Sequence, residues 1–518
     1  MNSITRPTAY AACAIATVAI AAPWLNPFAS GPSPPLQQWL FTGLCAAVLL
    51  LLQARRLLEG GELARAAAAG WLLAALLSSV IGLVQYFGVS AEFAPLMNVT
   101  PPGEAFANLR QRNQFATLTN IGLAVLLWWV AQRPTAQEKS SPLRLPLALA
   151  WFMAALLALG NATTSSRTGA AQLLALALCL GVWSLFDKKV PGSAAPRRAA
   201  QLLAFALLIY GVAALWLLPR LAGLDAATQG AMAHFVAGNS DCGGRRTLWS
   251  NVLYLIAQKP WLGWGWGELG YAHYITLYPG KRFCDILDNA HNLPLQLALA
   301  LGLPATLTLC AGALALVLRE RPWREREPAR RMAWAVLAVI LLHSMVEYPL
   351  WYGPFLLAAM LCLVLLVPPQ VGAWAASMGT AARRARLGAG AAALMLLALV
   401  GYTAWDYERI SQIFLASSQR LPAYKEDTLI KAQRSLLFAR VVRYAELSTT
   451  PVTRSNAEKM RALATSLLHF SAEARVIEKL IEADVQLGLD DEALFHMQRF
   501  RAAFPDEYAH WRQGRASD

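Results

Sequence analysis

Along the first four fifths of the chain, apolar residues come in unbroken runs, without the alternation of a half-buried strand or the stripe of a surface helix. A helix that crosses a hydrocarbon layer of about 30 Å needs roughly 20 such residues. Eleven runs meet or approach that length, some only with their flanks: 9–25, 37–52, 66–87, 115–131, 145–159, 169–185, 199–218, 293–318, 332–346, 351–367 and 387–405. The pattern predicts an all-α, polytopic membrane protein with about 11 transmembrane helices. Three segments break it. The first, 88–114, is rich in Pro, Asn and charge. The second, 219–292, is too long for a simple link and is expected to carry function or short helices of its own. The third is the tail, 406–518, where apolar residues recur at helical spacing, as at Ala472, Val476, Leu480, Ala483 and Leu487. Between 472 and 505 the tail reads as a helix, a turn at Gly488, a second helix and a proline stop. That is the form of one tetratricopeptide-type hairpin, with an irregular helical cap as the alternative. The expected domains are a transmembrane part, 1–405, which includes the long loop 219–292, and a helical C-terminal part, 406–518.

Composition agrees with lipid as the solvent: 57% of residues are hydrophobic and 15% charged, against roughly 25% charged in a soluble domain. The excess of 45 Lys and Arg over 31 acidic residues does not point to nucleic acid, because no basic face or binding motif accompanies it. Its placement explains it. Arg55, Arg56 and Arg65 follow the second run; Arg133, Lys139 and Arg144 the fourth; Lys188, Lys189, Arg197 and Arg198 the sixth. Arg319, Arg321, Arg324, Arg326, Arg330 and Arg331 follow the eighth, and Arg383, Arg384 and Arg386 the tenth. Such connections are cytoplasmic by the positive-inside rule. The N-terminus is then inside, and the loop 219–292 and the tail lie outside. The first run, after Arg6, lacks a small-x-small site before a polar start and is read as a span and not as a cleaved leader. Five of the seven cysteines fall inside runs, as small apolar packers. Cys242 and Cys284 share the outer loop, where an oxidising compartment lets them pair.

Candidate chemistry gathers on the outer side. The run Gly263-Trp264-Gly265-Trp266-Gly267 has no strand–helix unit around it, so it is an interfacial turn and not a nucleotide cradle. The segment from Asp285 to Pro294 leads into the eighth run, with Asn289 or Asn292 as cap and Pro294 in the first turn. His291 is then held at a helix N-terminus, where the dipole favours a neutral ring able to accept a proton and free N–H groups welcome an anion such as pyrophosphate. A His that only anchors at the interface is the plainer alternative. His234 and His273 share the loop without this setting. Arg110, Arg112, Arg167, Arg245 and Arg246 sit on the side the topology rule would empty of them. Singly each is a solvated charge; together they suit a diphosphate, which guanidinium forks bind two oxygens at a time. His343 and Glu347 lie one turn apart before Tyr348-Pro349, as a functional pair or a packing pair. Asp285, Asp288 and His291 lack a further ligand for a metal, so no metal and no cofactor is expected.

These residues fall into recognisable motifs: Arg110-Gln111-Arg112-Asn113-Gln114-Phe115-Ala116-Thr117, Ser165-Ser166-Arg167-Thr168-Gly169, Gly244-Arg245-Arg246 with Trp249, Gly263-Trp264-Gly265, Asp288-Asn289-Ala290-His291-Asn292 and Glu347-Tyr348-Pro349-Leu350. Together they resemble the O-antigen ligase and polymerase superfamily, and within it the PglL-type protein O-oligosaccharyltransferases. By motif the resemblance covers 88–368. The outer loop with its His is common to the superfamily; the Arg-Gln-Arg-Asn-Gln run, the Glu-Tyr-Pro-Leu motif and the helical tail favour the protein-glycosylating branch. The resemblance implies a glycan donor on undecaprenyl pyrophosphate and a Ser or Thr acceptor on a pilin or other exported protein. It implies no nucleotide sugar, metal or cofactor. His291 would be the general base or would position the acceptor, and Arg167, Arg245 and Arg246 would bind the pyrophosphate. Arg110, Arg112, Gln114, Asp288, Asn292, His343, Glu347 and Tyr348 would support them. An O-antigen ligase acting on lipid A core and a Wzy-type polymerase share donor and site and differ in acceptor. A transporter or flippase would show paired broken helices in repeated halves, and the sequence has no such repeat. A pure scaffold leaves the arginine and histidine pattern unexplained.

Overall fold

The computed structural model describes residues 6–27, 34–58, 60–132, 147–187, 195–223, 242–367 and 379–516, and among them every regular element is helical. In chain order the helices are α1 (Arg6–Leu25), α2 (Pro34–Ala54), α3 (Gly60–Tyr86), α4 (Arg112–Ala131), α5 (Leu147–Ala162), α6 (Arg167–Asp187) and α7 (Ala195–Val212). There follow α8 (Arg245–Gln258), α9 (Leu269–Ile275), α10 (Leu293–Leu301), α11 (Leu303–Glu320), α12 (Pro328–Ser344), α13 (Gly353–Leu366) and α14 (Gly379–Ser411). The tail adds α15 (Ala439–Thr449), α16 (Ala457–Leu468), α17 (Ala474–Gln486), α18 (Asp490–Ala503) and α19 (Pro505–Ala516). Among the described residues, seven helices are long and apolar enough to cross a membrane, and Ala9–Leu25, Leu147–Ala162 and Gly353–Leu366 are shorter apolar ones. The protein is an all-α, polytopic membrane protein. The described part of each of the eleven apolar runs is essentially helical, with two changes: 199–218 passes from α7 into a π-helical turn at Ala213–Leu217, and 293–318 is two helices, broken at Gly302.

The described residues form two compact units, Met1–Ala237 with Leu316–Val400, and Gly238–Ala315 with Gly401–Asp518. In the first, α4 is the centre. Its span is 83% buried, and α3, α5, α6, α7 and α12 all pack against it. Hydrocarbon around the bundle is as apolar as Leu, so close packing and internal hydrogen bonds hold such helices together more than transfer from water does. The small face of α3, with Ala66, Ala67, Ala74 and Ala75 buried, allows that close approach. At the C-terminal end of α6, Asp187 accepts from both terminal guanidinium nitrogens of Arg331 at 2.7 Å, and Arg330 meets Glu325 at 2.6 Å and Glu320 at 3.2 Å. A cavity of about 600 Å³ opens beside these charges, walled by Leu127, Leu176, Leu180, Leu203 and Trp183. It lies at the opposite end of α4 and α6 from their first residues, Arg112 and Arg167.

The second unit joins the long loop to the tail. One core holds Leu248 and Val252 of α8, Leu269 of α9, Ala298 of α10 and Leu287. The other holds Leu467, Ile477, Leu480 and Phe500 of the tail together with Tyr274 of α9. Helix α9 therefore contributes to both. In the tail Val476, Leu480 and Ala483 are buried, as their spacing predicts, whereas Leu487 is 39% exposed. Helices α17 and α18 form a hairpin that turns at Gly488 (φ +71°). Pro505 does more than stop α18: it is the first residue of α19, a position where its missing N–H costs nothing.

Candidate functional site

The first unit gathers its polar groups where α4 and α6 begin. Both helices open on an arginine, Arg112 and Arg167. Ser166 caps α6, since its Oγ accepts from the N–H of Gly169 at 3.0 Å, and the same hydroxyl donates to Asn113 Oδ1 at 2.7 Å. One side chain thus ties the two arginine-bearing ends. Asn113 Nδ2 donates in turn to Glu347 Oε1 over a longer 3.4 Å. Below this layer, Thr117 Oγ1 lies 2.9 Å from His343 Nδ1 and accepts from Gln172 Nε2 at 2.8 Å. Asn120 donates to Gln172 Oε1, and Asn161 to Asn120 Oδ1, each at 3.0 Å. His343 is fully buried, and its Nε2 has no hydrogen-bond partner among the described residues.

His343 and Glu347 are both buried, but α12 ends at Ser344, so Glu347 sits in the turn beyond it. Their link is through the backbone, Glu347 N–H to His343 C=O at 2.9 Å, and each side chain reaches α4 separately. Gln114 is buried and accepts from the N–H of Arg110 at 3.3 Å, so it holds the loop while the Arg110 side chain is exposed. Tyr348 stacks on Tyr352 with ring centres 5.8 Å apart. Tyr352 is hydrogen-bonded to Tyr348 and Gln114 and within electrostatic reach of Arg110 and Glu347, and the sequence reading did not single it out. Nor did it select Ser166, Thr117, Asn120, Asn161 or Gln172 as site groups. A signal existed for two of them: 113, 117 and 120 put polar side chains on one face of a span that is otherwise mostly apolar.

The second unit builds the surroundings of His291. Asn292 is the N-cap of α10, its Oδ1 accepting from Leu295 N–H at 3.0 Å, and Pro294 is in the first turn. Asn289 does a different job: its Oδ1 accepts from the N–H of His291 itself at 2.9 Å. Ala290 is clamped on both sides, its N–H by Gln296 Oε1 at 2.8 Å and its carbonyl by Trp249 Nε1 at 3.1 Å. These bonds hold His291 in the left-handed region, φ +50°. A non-glycine residue there costs of order 1–3 kcal/mol and persists only where its surroundings enforce it. The imidazole is half-buried.

Trp249 also links His291 to the arginines of this unit. It lies one turn along α8, which opens on Arg245 and Arg246 after the cap Gly244. Arg245 is half-buried and Arg246 exposed. Just before that helix, Cys242 is bonded to Cys284, seven positions ahead of His291 in the chain, with Cα atoms 5.4 Å apart. Asp285 and Asp288 are exposed. Among the described residues no group of three or more His, Cys, Asp or Glu is placed to hold a metal. His273 is a structural residue. Its Nδ1 is 2.8 Å from Tyr278 OH and its Nε2 3.2 Å from Phe283 O; burial, with Arg282 adding to it, pushes its pKa down to about 3. His234 lies outside the described residues.

Known proteins share these segments. A family model described as protein glycosylation ligase matches residues 105–130, which include the start of α4. A model described as O-antigen ligase matches 151–310, which include Arg167, Arg245, Arg246 and His291. A third, described as the C-terminal part of a virulence-factor membrane-bound polymerase, matches 331–517, from His343 and Glu347 through the tail. Among curated proteins, a general O-oligosaccharyltransferase of Acinetobacter baylyi is 25% identical over 296 residues, 55% of this chain and 47% of that protein. A ComP-specific O-oligosaccharyltransferase of the same organism is 26% identical over 256 residues, 49% of this chain and 42% of that protein. The matches span less than half the length of either relative. Taken together, these matches, which take in the motifs of both units, support the O-antigen ligase superfamily as the family this chain resembles and a PglL-like place within it.

Proposed function

We propose that this protein transfers an assembled glycan from undecaprenyl pyrophosphate to a Ser or Thr hydroxyl of an exported protein, such as a pilin, on the periplasmic face of a bacterial inner membrane. One observation supports it most. Helices α4, α6 and α8 each begin on an arginine, Arg112, Arg167 and Arg245. A cation at a helix N-terminus adds to the positive end of the dipole and disfavours the fold by about 0.3–1 kcal/mol where exposed. For a bound anion the sign reverses, because the guanidinium charge and the positive end of the helix dipole both attract it.

The chemistry follows from the groups. His291 accepts the proton of the acceptor hydroxyl, or holds that hydroxyl in line, as its oxygen bonds to the anomeric carbon. The bond from that carbon to the phosphate oxygen breaks, and its electron pair stays on undecaprenyl pyrophosphate. Arg167, Arg245 and Arg246 would meet the growing charge, with Arg112 in support. Glu347, through Asn113 and Ser166, fixes the helix ends that carry Arg112 and Arg167. No resident metal or cofactor enters this scheme.

The O-antigen ligase match gives the second reading, lipid A core as acceptor. The protein glycosylation ligase match at 105–130 and the names of both curated relatives favour a protein. Offering purified protein one lipid-linked oligosaccharide with a pilin and lipid A core in the same vesicles separates them. Glycan on the pilin is expected; glycan on the core alone would select the ligase, and a lengthened lipid-linked glycan the polymerase.

A further inference from the structure

Leu262 is 86% exposed, Trp261 75% and Trp266 63%, and all three belong to the glycine-rich loop between α8 and α9. Trp264 differs. Its Nε1 donates to Leu255 O at 2.8 Å, and Lys259 Nζ lies 4.1 Å over its ring. The inner edge of the loop is bonded to the break between α10 and α11. Trp264 N–H donates to Leu299 O at 2.7 Å, Gly265 N–H to Ala300 O at 3.2 Å, and Leu303 N–H to Pro260 O at 2.8 Å. The fit is backbone against backbone. A Cβ at Gly302 would stand 2.2 Å from Trp261 O, and one at Gly263 would stand 2.5 Å from Leu299 O.

An interrupted helix in hydrocarbon leaves carbonyl and N–H groups that only the protein can satisfy, and this loop satisfies them. It also sits at the head of Leu303–Arg324, a candidate span only 6% of which is buried in protein. Apolar side chains projecting beside the start of a lipid-facing helix meet the lipid–water boundary, the level at which the amphipathic Trp ring is favoured. A protein partner would leave the adjoining bare helix unexplained; lipid covers both.

We propose that Trp261, Leu262 and Trp266 insert into the membrane interface, and that the loop, through its three backbone bonds to 299–303, sets the depth of α10 and of His291 at its head. This inference does not rest on the transfer chemistry proposed above. Its test is spin labelling of the full chain in phosphatidylethanolamine–phosphatidylglycerol vesicles, with the free cysteines at 13, 45, 179, 310 and 362 replaced by Ala. Single labels go at Leu262→Cys, at Leu301→Cys and, as an aqueous control, at Ser455→Cys on an exposed stretch of the tail. Collisions with dissolved oxygen should dominate at 262 and 301, and collisions with a water-soluble nickel chelate at 455. Trp261→Lys with Trp266→Lys should move the balance at 301 towards nickel, and Trp261→Phe with Trp266→Phe should restore it. Retention of the Cys242–Cys284 bond in each variant guards against unfolding. Nickel dominance at 262 would overturn the insertion, and an unchanged balance at 301 in the Lys variant would overturn the anchoring.

Discussion

Replacing Arg167, Arg245 or Arg246 by Lys keeps the charge and removes the planar fork that takes two phosphate oxygens at once. Removing one donor from an oxyanion site typically costs about 2.7–4 kcal/mol, or roughly 100- to 1,000-fold in kcat. At least one of the three single variants should therefore lose transfer by about two orders of magnitude while membrane insertion and protein level stay normal. Near-normal transfer in all three, at matched expression and subsaturating donor, would remove the bidentate arrangement. His291 allows a sharper experiment, because its backbone is strained as well as its ring placed. With φ at +50°, Gly relieves the strain, worth of order 1–3 kcal/mol, whereas Ala keeps it. If the ring matters, His291→Gly should be at least as stable as His291→Ala in thermal unfolding and equally inactive. Activity in the Gly variant would reduce His291 to a turn residue. These charged groups stand out in the sequence because each falls in a connection that the positive-inside rule would empty of them. The groups that hold them do not: Ser166 and Asn113 are 53 positions apart, and only folding brings them to one layer.

Among the elements, the long apolar runs were readable and the break at Gly302 was not. A run apolar on every face carries no periodicity to interrupt, and Gly is common inside membrane helices. The reason for the break lies in the loop it receives, some forty positions upstream. Gly302→Ala should show it, since the backbone is at φ +82° and the added methyl would meet Trp261 O. A loss of about 1–3 kcal/mol is expected from the strain alone, read as a lower unfolding temperature of the full chain in lipid. Gly312→Ala in α11, where nothing lies within 4 Å of the new Cβ, is the matched control and should be neutral or slightly stabilising. Equal unfolding temperatures for the two variants would contradict the account of the break.

At the scale of the molecule, sequence patterning did not show that the long loop is built into the tail's core. Tyr274 joins that core, its hydroxyl lies 2.8 Å from His496 Nδ1, and Arg499 Nε donates to the carbonyl of Ile275 at 2.8 Å. Such contacts join positions more than two hundred apart, beyond any local signal. Deleting the tail should therefore unsettle the loop that carries His291. Protease sensitivity between 245 and 292 should rise in the deletion, and an unchanged pattern would argue for independent modules. The unit should also be sensitive to acid. Burial, with Arg499 and Arg461 adding to it, pushes His496 down to about 4, and His273 is down to about 3. In the unfolded chain both titrate near about 6.5. Below that pH the unfolded state binds protons that the folded state does not, so stability falls as pH drops through about 6.5 towards the folded values. Unfolding temperatures between pH 7.5 and 4.5 should decline, and less steeply in His496→Gln; an identical slope would remove His496 from the explanation.

The most direct test of the central claim is the intact mass of a pilin acceptor after incubation with the purified full chain and a synthetic undecaprenyl-pyrophosphate oligosaccharide of known mass. The account predicts a single increment equal to the whole oligosaccharide, on a Ser or Thr, formed by the native protein and lost in His291→Gly and in the most affected Arg→Lys variant. An acceptor of unchanged mass beside glycosylated lipid A core, or an increment that survives in all of these variants, would contradict it.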